Sequence, residues 1–343
     1  MSTIPTTFNE TFPSYTVVGG KERIGSSGLS AVLLNRGGRY ARRGIFLELE
    51  KTGFDTVISI EPEPAHYDID ELSSRFPFVR FVLLRGGISF GEQVNLAASE
   101  MDSPLFFVLW NDLKMIAGGL ARRMAERLQT ATDNADGGEK SPYKRLCTVP
   151  VIQNARFDTL PTLIAPALRR NKVKTMFLSP MSEGNASLYP FDGVGIYDRS
   201  RFITLGGFDG AIKNSHWQCM DFGFRAHLWG EEISATSSLK LSYEANVPTL
   251  DDSGGADYSR FYLKNIAPVF SGDSASLPLR RFPAYLCQTK DGIFAAWEDF
   301  AECRRWVRLN QFRWRRDPKS LASRWNASTA AEQAAHGSGE MQA

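Results

Sequence analysis

The sequence is short of the features that staple, anchor or export a chain. Its four cysteines, Cys147, Cys219, Cys287 and Cys303, stand far apart and form no CxxC pair. That argues against a disulfide framework or a zinc site and makes a reducing cytoplasm the default compartment. No apolar run approaches the roughly 20 residues that a membrane-spanning helix needs. Residues Met1 to Pro13 carry one charged side chain, Glu10, and lack the basic start and apolar centre of a secretory signal. There is no internal repeat, no linker-like stretch before residue 320, and no six-position glycine fingerprint of dinucleotide binding, so a Rossmann oxidoreductase is disfavoured. A large excess of one charge is also missing, since the formal net charge is +2. It is unevenly spread, however. Between Phe300 and Trp325 eight basic residues face two acidic ones, a net +6 that leaves −4 for the remainder. A mildly acidic body is not that of a nucleic-acid binder.

What is present is an alternation of buried-strand and helix patterns. With 343 residues, 43% hydrophobic and 23% charged, the chain has material for one large or two ordinary domains. The organising stretch is Leu105-Phe106-Phe107-Val108-Leu109-Trp110-Asn111-Asp112, a continuous apolar run that ends on polar residues. It reads as a strand buried on both faces whose carboxyl end delivers Asn111 and Asp112, where ligands bind in open α/β sheets. The same two residues also suit a turn and a helix cap, a purely structural role.

Strands are expected at Tyr15–Val18, at Leu29–Leu34 ending on Asn35-Arg36-Gly37-Gly38, at Phe54–Ile60 ending on Glu61, and at Phe78–Leu84 ending on Arg85. A helix with Ile45, Phe46 and Leu49 inward should follow the second of these. Another, from Phe90 to Ala98, should turn Val94, Ala97 and Ala98 to the sheet. After Asp112 a helix is expected from about Leu113 to Gln129 with Met124 and Leu128 on one face. Next come a surface loop from Thr130 to Ser141, a strand at Cys147–Gln153, a short helix and a further strand at Thr175–Leu178. The irregular piece from Ser182 to Gly193 suits a mobile loop beside a site. Alternating elements of this kind argue for parallel βαβ units. Phe222, Arg225, Ala226 and Trp229 recur at helical spacing, which predicts a helix carrying Asp221 in its first turn.

From Leu29 to Leu263 the chain resembles the family 2-like glycosyltransferases of the GT-A fold. The resemblance rests on Asn35-Arg36, on Arg85 with Asn95, on Asp112, and on Leu205-Gly206-Gly207-Phe208-Asp209 followed by Asp221-Phe222, Arg225 and Gly230. It implies an α/β fold with a mixed, mostly parallel sheet flanked by helices. It also implies inverting transfer of a sugar from a nucleotide-sugar donor to a glycan or lipid-linked acceptor, as in biosynthesis of bacterial-type surface polysaccharide. Donor contacts are implied for Asn35, Arg36, Glu61, Arg85 and Asn111. A divalent cation, Mn²⁺ or Mg²⁺, is implied at Asp112, and a catalytic base at Asp221. Asp209 and Asp192 are lesser candidates for the base and read rather as a turn and a loop residue; His216 and His227 could titrate usefully but read rather as packed or capping residues.

The pattern also departs from the family. Trp110 replaces the leading acid of the metal motif, and Gln218 and Cys219 replace its Glu-Asp pair. Glu244 stands where many relatives carry a metal-binding His. An amide has no basic lone pair and a free thiol titrates near ~8.5. A catalytically degenerate relative that binds a sugar or partner is therefore the alternative. The expected organisation is a lead-in over 1–27, the transferase domain over 28–270, a basic amphipathic helical extension over 271–325, and a disordered tail over 326–343, rich in Ala, Ser, Gly and Gln. The extension, drawn as a helix from Trp297 to Trp314, either lies on an anionic membrane or packs its apolar side on the transferase domain.

Overall fold

The computed structural model describes residues 14–36, 42–63, 68–116, 123–128, 145–169, 172–180, 182–244, 246–287, 289, 292–318, 320–321 and 325. Gly37-Gly38, the loop from 130 to 141 and the tail from 326 lie outside the described residues. The strands are β1 (Tyr15–Gly19), β2 (Leu29–Leu34), β3 (Val57–Glu61), β4 (Val79–Leu84), β5 (Leu105–Trp110), β6 (Leu113–Met115), β7 (Cys147–Gln153), β8 (Leu163–Arg169), β9 (Lys172–Leu178), β10 (Gly195–Asp198), β11 (Ile233–Tyr243), β12 (Val269–Ser271) and β13 (Ser274–Ser276).

The central sheet has nine strands in the order β1-β4-β3-β2-β5-β10-β7-β11-β6. Strands β4, β3, β2 and β5 are mutually parallel, and β7 runs parallel with β11. The antiparallel strands are β1 on one edge, β6 on the other, and β10 between β5 and β7. The expected mixed, mostly parallel sheet is thus present. Every residue of β2, β3 and β5 is buried, as continuous apolar runs in a sheet covered on both faces require.

Helices α1 (Arg42–Thr52) and α2 (Ile69–Arg75) follow β2 and β3, and α3 (Phe90–Ser99) follows β4. In α1 the inward residues are Phe46 and Leu49, with Arg42 and Thr52, while Ile45 is half-buried. Helix α3 begins with a capping box, Ser89 with Glu92, and buries Val94, Ala97 and Ala98 as expected. The chain steps from β2 outward to β3 and β4, then returns to the other side of β2 to form β5. The carboxyl ends of β2 and β5 are therefore the topological switch point, where crevices open in sheets of this kind.

Four expectations are corrected. Leu113–Met115 is strand β6, paired with Leu241–Tyr243, because the end of β11 offers backbone partners that outweigh the helical propensity of Leu, Lys and Met. Among the described residues of the rest of that stretch, 123–128 are helical, with Met124 and Leu128 buried. The short helix before Thr175 is strand β8, which pairs with β9 in a hairpin and sets Pro166 opposite Thr175. The second half of the irregular piece is packed into the domain and not an open loop: Ser187 Oγ donates to Tyr189 O at 2.8 Å and accepts from Ile164 N at 3.1 Å, and Leu188, Tyr189 and Phe191 are buried.

The fourth correction concerns Asp221. After α4 (Arg199–Leu205), helix α5 runs from Ser215 to Trp229 with Asn214 as its N-cap. Asp221 therefore lies in its second turn and not its first. Helices α6 (Ala256–Asn265), α7 (Phe282–Leu286) and α8 (Ile293–Leu309) follow. The expected long C-terminal helix starts earlier than Trp297 and ends at Leu309. Its Phe300, Cys303, Trp306 and Val307 join the same buried core as the sheet, with Trp306 stacked on Trp229 of α5 at 6.0 Å. Of the two expected placements of its apolar side, the structure shows packing on the domain.

Candidate active site

The carboxyl ends of β2 and β5 are tied together by their own backbone and amide groups. Leu34 pairs with Trp110 at the end of the ladder, and Asn111 N donates to Leu34 O at 2.9 Å. Arg36 N donates to Asn111 Oδ1 at 3.2 Å, and Asn35 Nδ2 to Ile60 O at 2.6 Å. Four of the expected residues, Asn35, Arg36, Asn111 and Asp112, are thus gathered by two adjacent strand ends.

The Arg36 guanidinium lies over the Trp110 indole, 4.1 Å from the ring centroid. It sits between two carboxylates, with Asp112 Oδ2 at 3.8 Å and a hydrogen-bonded ion pair to Asp192. Asp192 is fixed from three sides. Its backbone is left-handed, with φ of 54°, its carbonyl accepts from Trp110 Nε1 at 3.0 Å, and its Oδ2 accepts from Tyr243 Oη at 3.0 Å. A left-handed non-glycine residue carries a local cost, and such residues gather at functional sites. Burial pushes the Asp192 carboxyl up to about 6 against the pull of Arg36. Burial raises Asp112 as well, again opposed by Arg36. The sequence offers Asp192 only as a lesser candidate for the base and does not mark out Tyr243. Asp192 lies in the irregular stretch and Tyr243 ends a distant strand, and only the sheet order joins them to Arg36. A small open cleft of about 130 Å³ beside Asn111 is lined by Gly44, Glu48, Leu109, Lys114 and Glu244.

Two expected donor contacts lie apart from this group. Glu61, at the end of β3, is fully buried and accepts from Arg42 Nη1 at 3.2 Å and Ser59 Oγ at 2.6 Å. It faces α1 and not an open crevice. Arg85 follows β4, is exposed, and bonds to Thr16 Oγ1 at 3.3 Å toward the outer edge of the sheet. Strands β3 and β2 separate β4 from β5, a lateral distance of about 14 Å at the usual strand spacing.

The residues after α4 build the wall beside the site. Gly206 and Gly207 both have positive φ, and a Cβ on Gly207 would meet Asn95 Oδ1 at 2.2 Å. Asn95 clasps the turn, accepting from Phe208 N at 2.9 Å and donating to Phe208 O at 2.8 Å. Arg225 holds it from the other side, donating to Leu205 O at 2.8 Å and Gly207 O at 2.7 Å. Asp209 is buried with Arg260 at 2.8 Å and Lys264 at 2.7 Å. Burial alone would lift its carboxyl, but the two cations hold it down to about 2.

Asp221, the expected base, is fully buried. Its oxygens meet Arg225 Nη2 at 3.0 Å, Lys264 Nζ at 2.8 Å and Asn265 Nδ2 at 2.8 Å. In this arrangement no acceptor hydroxyl reaches it. Gln218 is a staple: its Oε1 accepts from Gly91 N at 2.9 Å and its Nε2 donates to Ser89 Oγ at 2.8 Å. Burial raises the Cys219 thiol well above its ordinary value. His216 is buried with Nδ1 3.2 Å from Tyr189 Oη, and burial pushes His227, beside Ser187 O at 3.0 Å, down to about 4.

A hard divalent cation takes about six oxygen ligands. Among the described residues no group of three His, Cys, Asp or Glu side chains is arranged to hold one. The space between Asp112 and Asp192 contains the Arg36 guanidinium, and Glu244 is paired with Lys114. The donor set as it stands does not fit a divalent cation.

With this geometry the fold is that of the GT-A glycosyltransferases. GalNAc-T7, solved with UDP, GalNAc and Mn²⁺, matches 80% of this chain and 54% of its own at 11% identity, with a TM-score of 0.52. TarS 1–349 of S. aureus, in complex with UDP-GlcNAc, matches over 80% and 71% of the two chains at 11% identity and a TM-score of 0.45. The mannosyltransferase PcManGT of Pyrobaculum calidifontis, with GDP-Man and Mn²⁺, matches over 89% and 75% at 10% identity and a TM-score of 0.41. The chain thus spans about half the length of GalNAc-T7. No family model and no curated protein matches the sequence.

Proposed function

We propose that the protein is a nucleotide-sugar-dependent glycosyltransferase acting on a hydroxyl of a glycan or lipid-linked acceptor with inversion. The observation that carries this reading is the cationic Arg36, held between Asp112 and Asp192 at the switch point of a GT-A sheet. Sugar transfer breaks the bond from the anomeric carbon to the diphosphate oxygen, and the electron pair leaves with the diphosphate. A preorganised cation beside that oxygen stabilises the developing charge. The acceptor oxygen bonds to the anomeric carbon from the opposite face, and its proton passes to a carboxylate. Asp192 fits that role better than Asp221, because it is partly open, with side-chain exposure of 18% against 0%. A base titrating near the working pH is also the effective one. Asn35 and Asn111 brace the two strand ends, and Asp112 orients Arg36.

Nucleotide release from UDP-, GDP- and dTDP-sugars tests the reading. Release well above background with one donor class is expected. It should fall about 10²- to 10⁴-fold in Asp192→Asn, the range typical of a lost general base, and also decline in Asp112→Ala. The stapling bonds of Gln218 and the burial of Cys219 favour a second reading, a binding protein without turnover. That reading predicts a raised melting temperature with a nucleotide sugar and no nucleotide release. Peripheral contact of α8 with an anionic membrane surface is a further part of the proposal, and what supports it is the exposure of Phe294, Trp297, Arg304, Arg305 and Arg308.

A further inference from the structure

We infer that Arg36 is the built-in counter-ion of the donor diphosphate, so that the site binds a nucleoside diphosphate without a divalent cation; this rests on the glycosyltransferase reading above. Three features of Arg36 point the same way. Its backbone is pinned to Asn111 at the switch point, which fixes where the side chain starts. Its guanidinium lies on the Trp110 indole, at the position where the resembled family has the leading acid of its metal motif. An aromatic face supports a guanidinium and gives a hard metal no oxygen. Both neighbouring carboxylates, Asp112 and Asp192, are directed at Arg36, so the guanidinium occupies the place between them and offsets one of their two charges.

The guanidinium also has donor capacity left. Arg36 Nη1 is buried with no hydrogen-bond partner among the described residues, and Asp112 Oδ1 is likewise unpartnered. An unsatisfied buried N–H is costly to leave, and a planar guanidinium suits bidentate capture of phosphate oxygens. A donor diphosphate entering the switch point would satisfy Nη1 and share Arg36 with Asp112, which keeps the side chain aimed. A divalent cation would first have to expel Arg36 from between its two carboxylates.

Isothermal titration of UDP and GDP into the full chain, in EDTA and in excess MnCl₂, tests this. One nucleotide should bind with a dissociation constant that agrees within about threefold between the two buffers. Arg36→Ala should weaken binding in EDTA by about 10- to 100-fold, the worth of a charge-assisted hydrogen bond. Arg36→Lys keeps the charge and the ion pairs but loses the planar fork, so it should fall in between. It also carries the test if the alanine variant does not fold. The electron paramagnetic resonance signal of free Mn²⁺ should be unchanged by the protein. Binding that appears only with manganese, or an Arg36→Ala protein that binds like the parent, overturns the inference and leaves the transferase reading standing. No binding in either buffer overturns both.

Discussion

Asp192 is the residue on which the chemistry and the stability of the site meet. It is held by Tyr243 and the Trp110 indole N–H as well as by Arg36, yet burial is its largest influence and lifts its carboxyl from 3.8 to about 6. A folded-state value above the unfolded one means that the native protein binds this proton more tightly. The stability from the protonated carboxyl is therefore complete below 3.8 and is lost as pH rises through about 6. At 1.36 kcal/mol per unit, the effect is at most about 3 kcal/mol. Between about pH 4 and pH 6.5 the parent should lose urea resistance relative to Asp192→Asn, which cannot titrate there. Parallel profiles for the two proteins would mean that Asp192 is already ionised at pH 4. The sequence offers the residue only as a lesser candidate, because its partners are distant: Arg36 just beyond β2, Trp110 of β5 and Tyr243 of β11.

At the scale of elements, what was legible followed the apolar pattern. Cys147–Gln153 and Leu29–Leu34 are strands with the expected bounds, since a continuous apolar run bounded by polar residues has few other solutions. Leu113–Met115 and Leu163–Arg169 were not legible, because their strand state is fixed by partners far along the chain, Leu241–Tyr243 and Lys172–Leu178. The extension was half legible. The sequence showed an amphipathic basic helix, but whether its apolar stripe faced protein or lipid depended on Trp229 and Lys264, which meet Trp306 from distant elements. Helix α8 buries Phe300, Trp306 and Val307 and leaves Ile293, Phe294 and Trp297 exposed at its start. Arg304, Arg305 and Arg308 are exposed along it. If this end meets an anionic surface, full-length protein should float with vesicles containing phosphatidylglycerol, and Phe294→Ser with Trp297→Ser should reduce flotation severalfold. Unchanged flotation of the double variant would remove α8 from the interaction. Removing the whole extension is a poor test, because truncation of one buried Trp or Phe alone costs about 3–5 kcal/mol.

At the scale of the molecule, the feature that joins the parts is a buried ionic network. Asp209 meets Arg260 and Lys264, Asp221 meets Lys264 and Arg225, and Arg260 reaches Glu302 of α8 at 3.0 Å. Lys264 Nζ also lies 4.6 Å from the Trp306 ring centroid. The turn that walls the site, helices α5 and α6, and the extension are thereby fastened at one place. Removing one partner of a buried pair strands the other charge and costs about 3–5 kcal/mol, whereas an exposed pair is worth at most about 1 kcal/mol. Asp221→Asn leaves the amide bonded to Asn265 but deprives Lys264 and Arg225 of their shared anion. It should lower unfolding free energy by about 3–5 kcal/mol, read from urea midpoints at constant slope. Asp102→Asn is the matched control: its ion pair with Arg23 is open, at 91% and 63% side-chain exposure, and the change should be within about 0.5 kcal/mol. The comparison also settles the role of Asp221. An Asp221→Asn protein as stable as its parent but without turnover would restore Asp221 as the base. A destabilised protein that still releases nucleotide below its melting temperature makes Asp221 the fastening of the fold, and leaves proton transfer to Asp192.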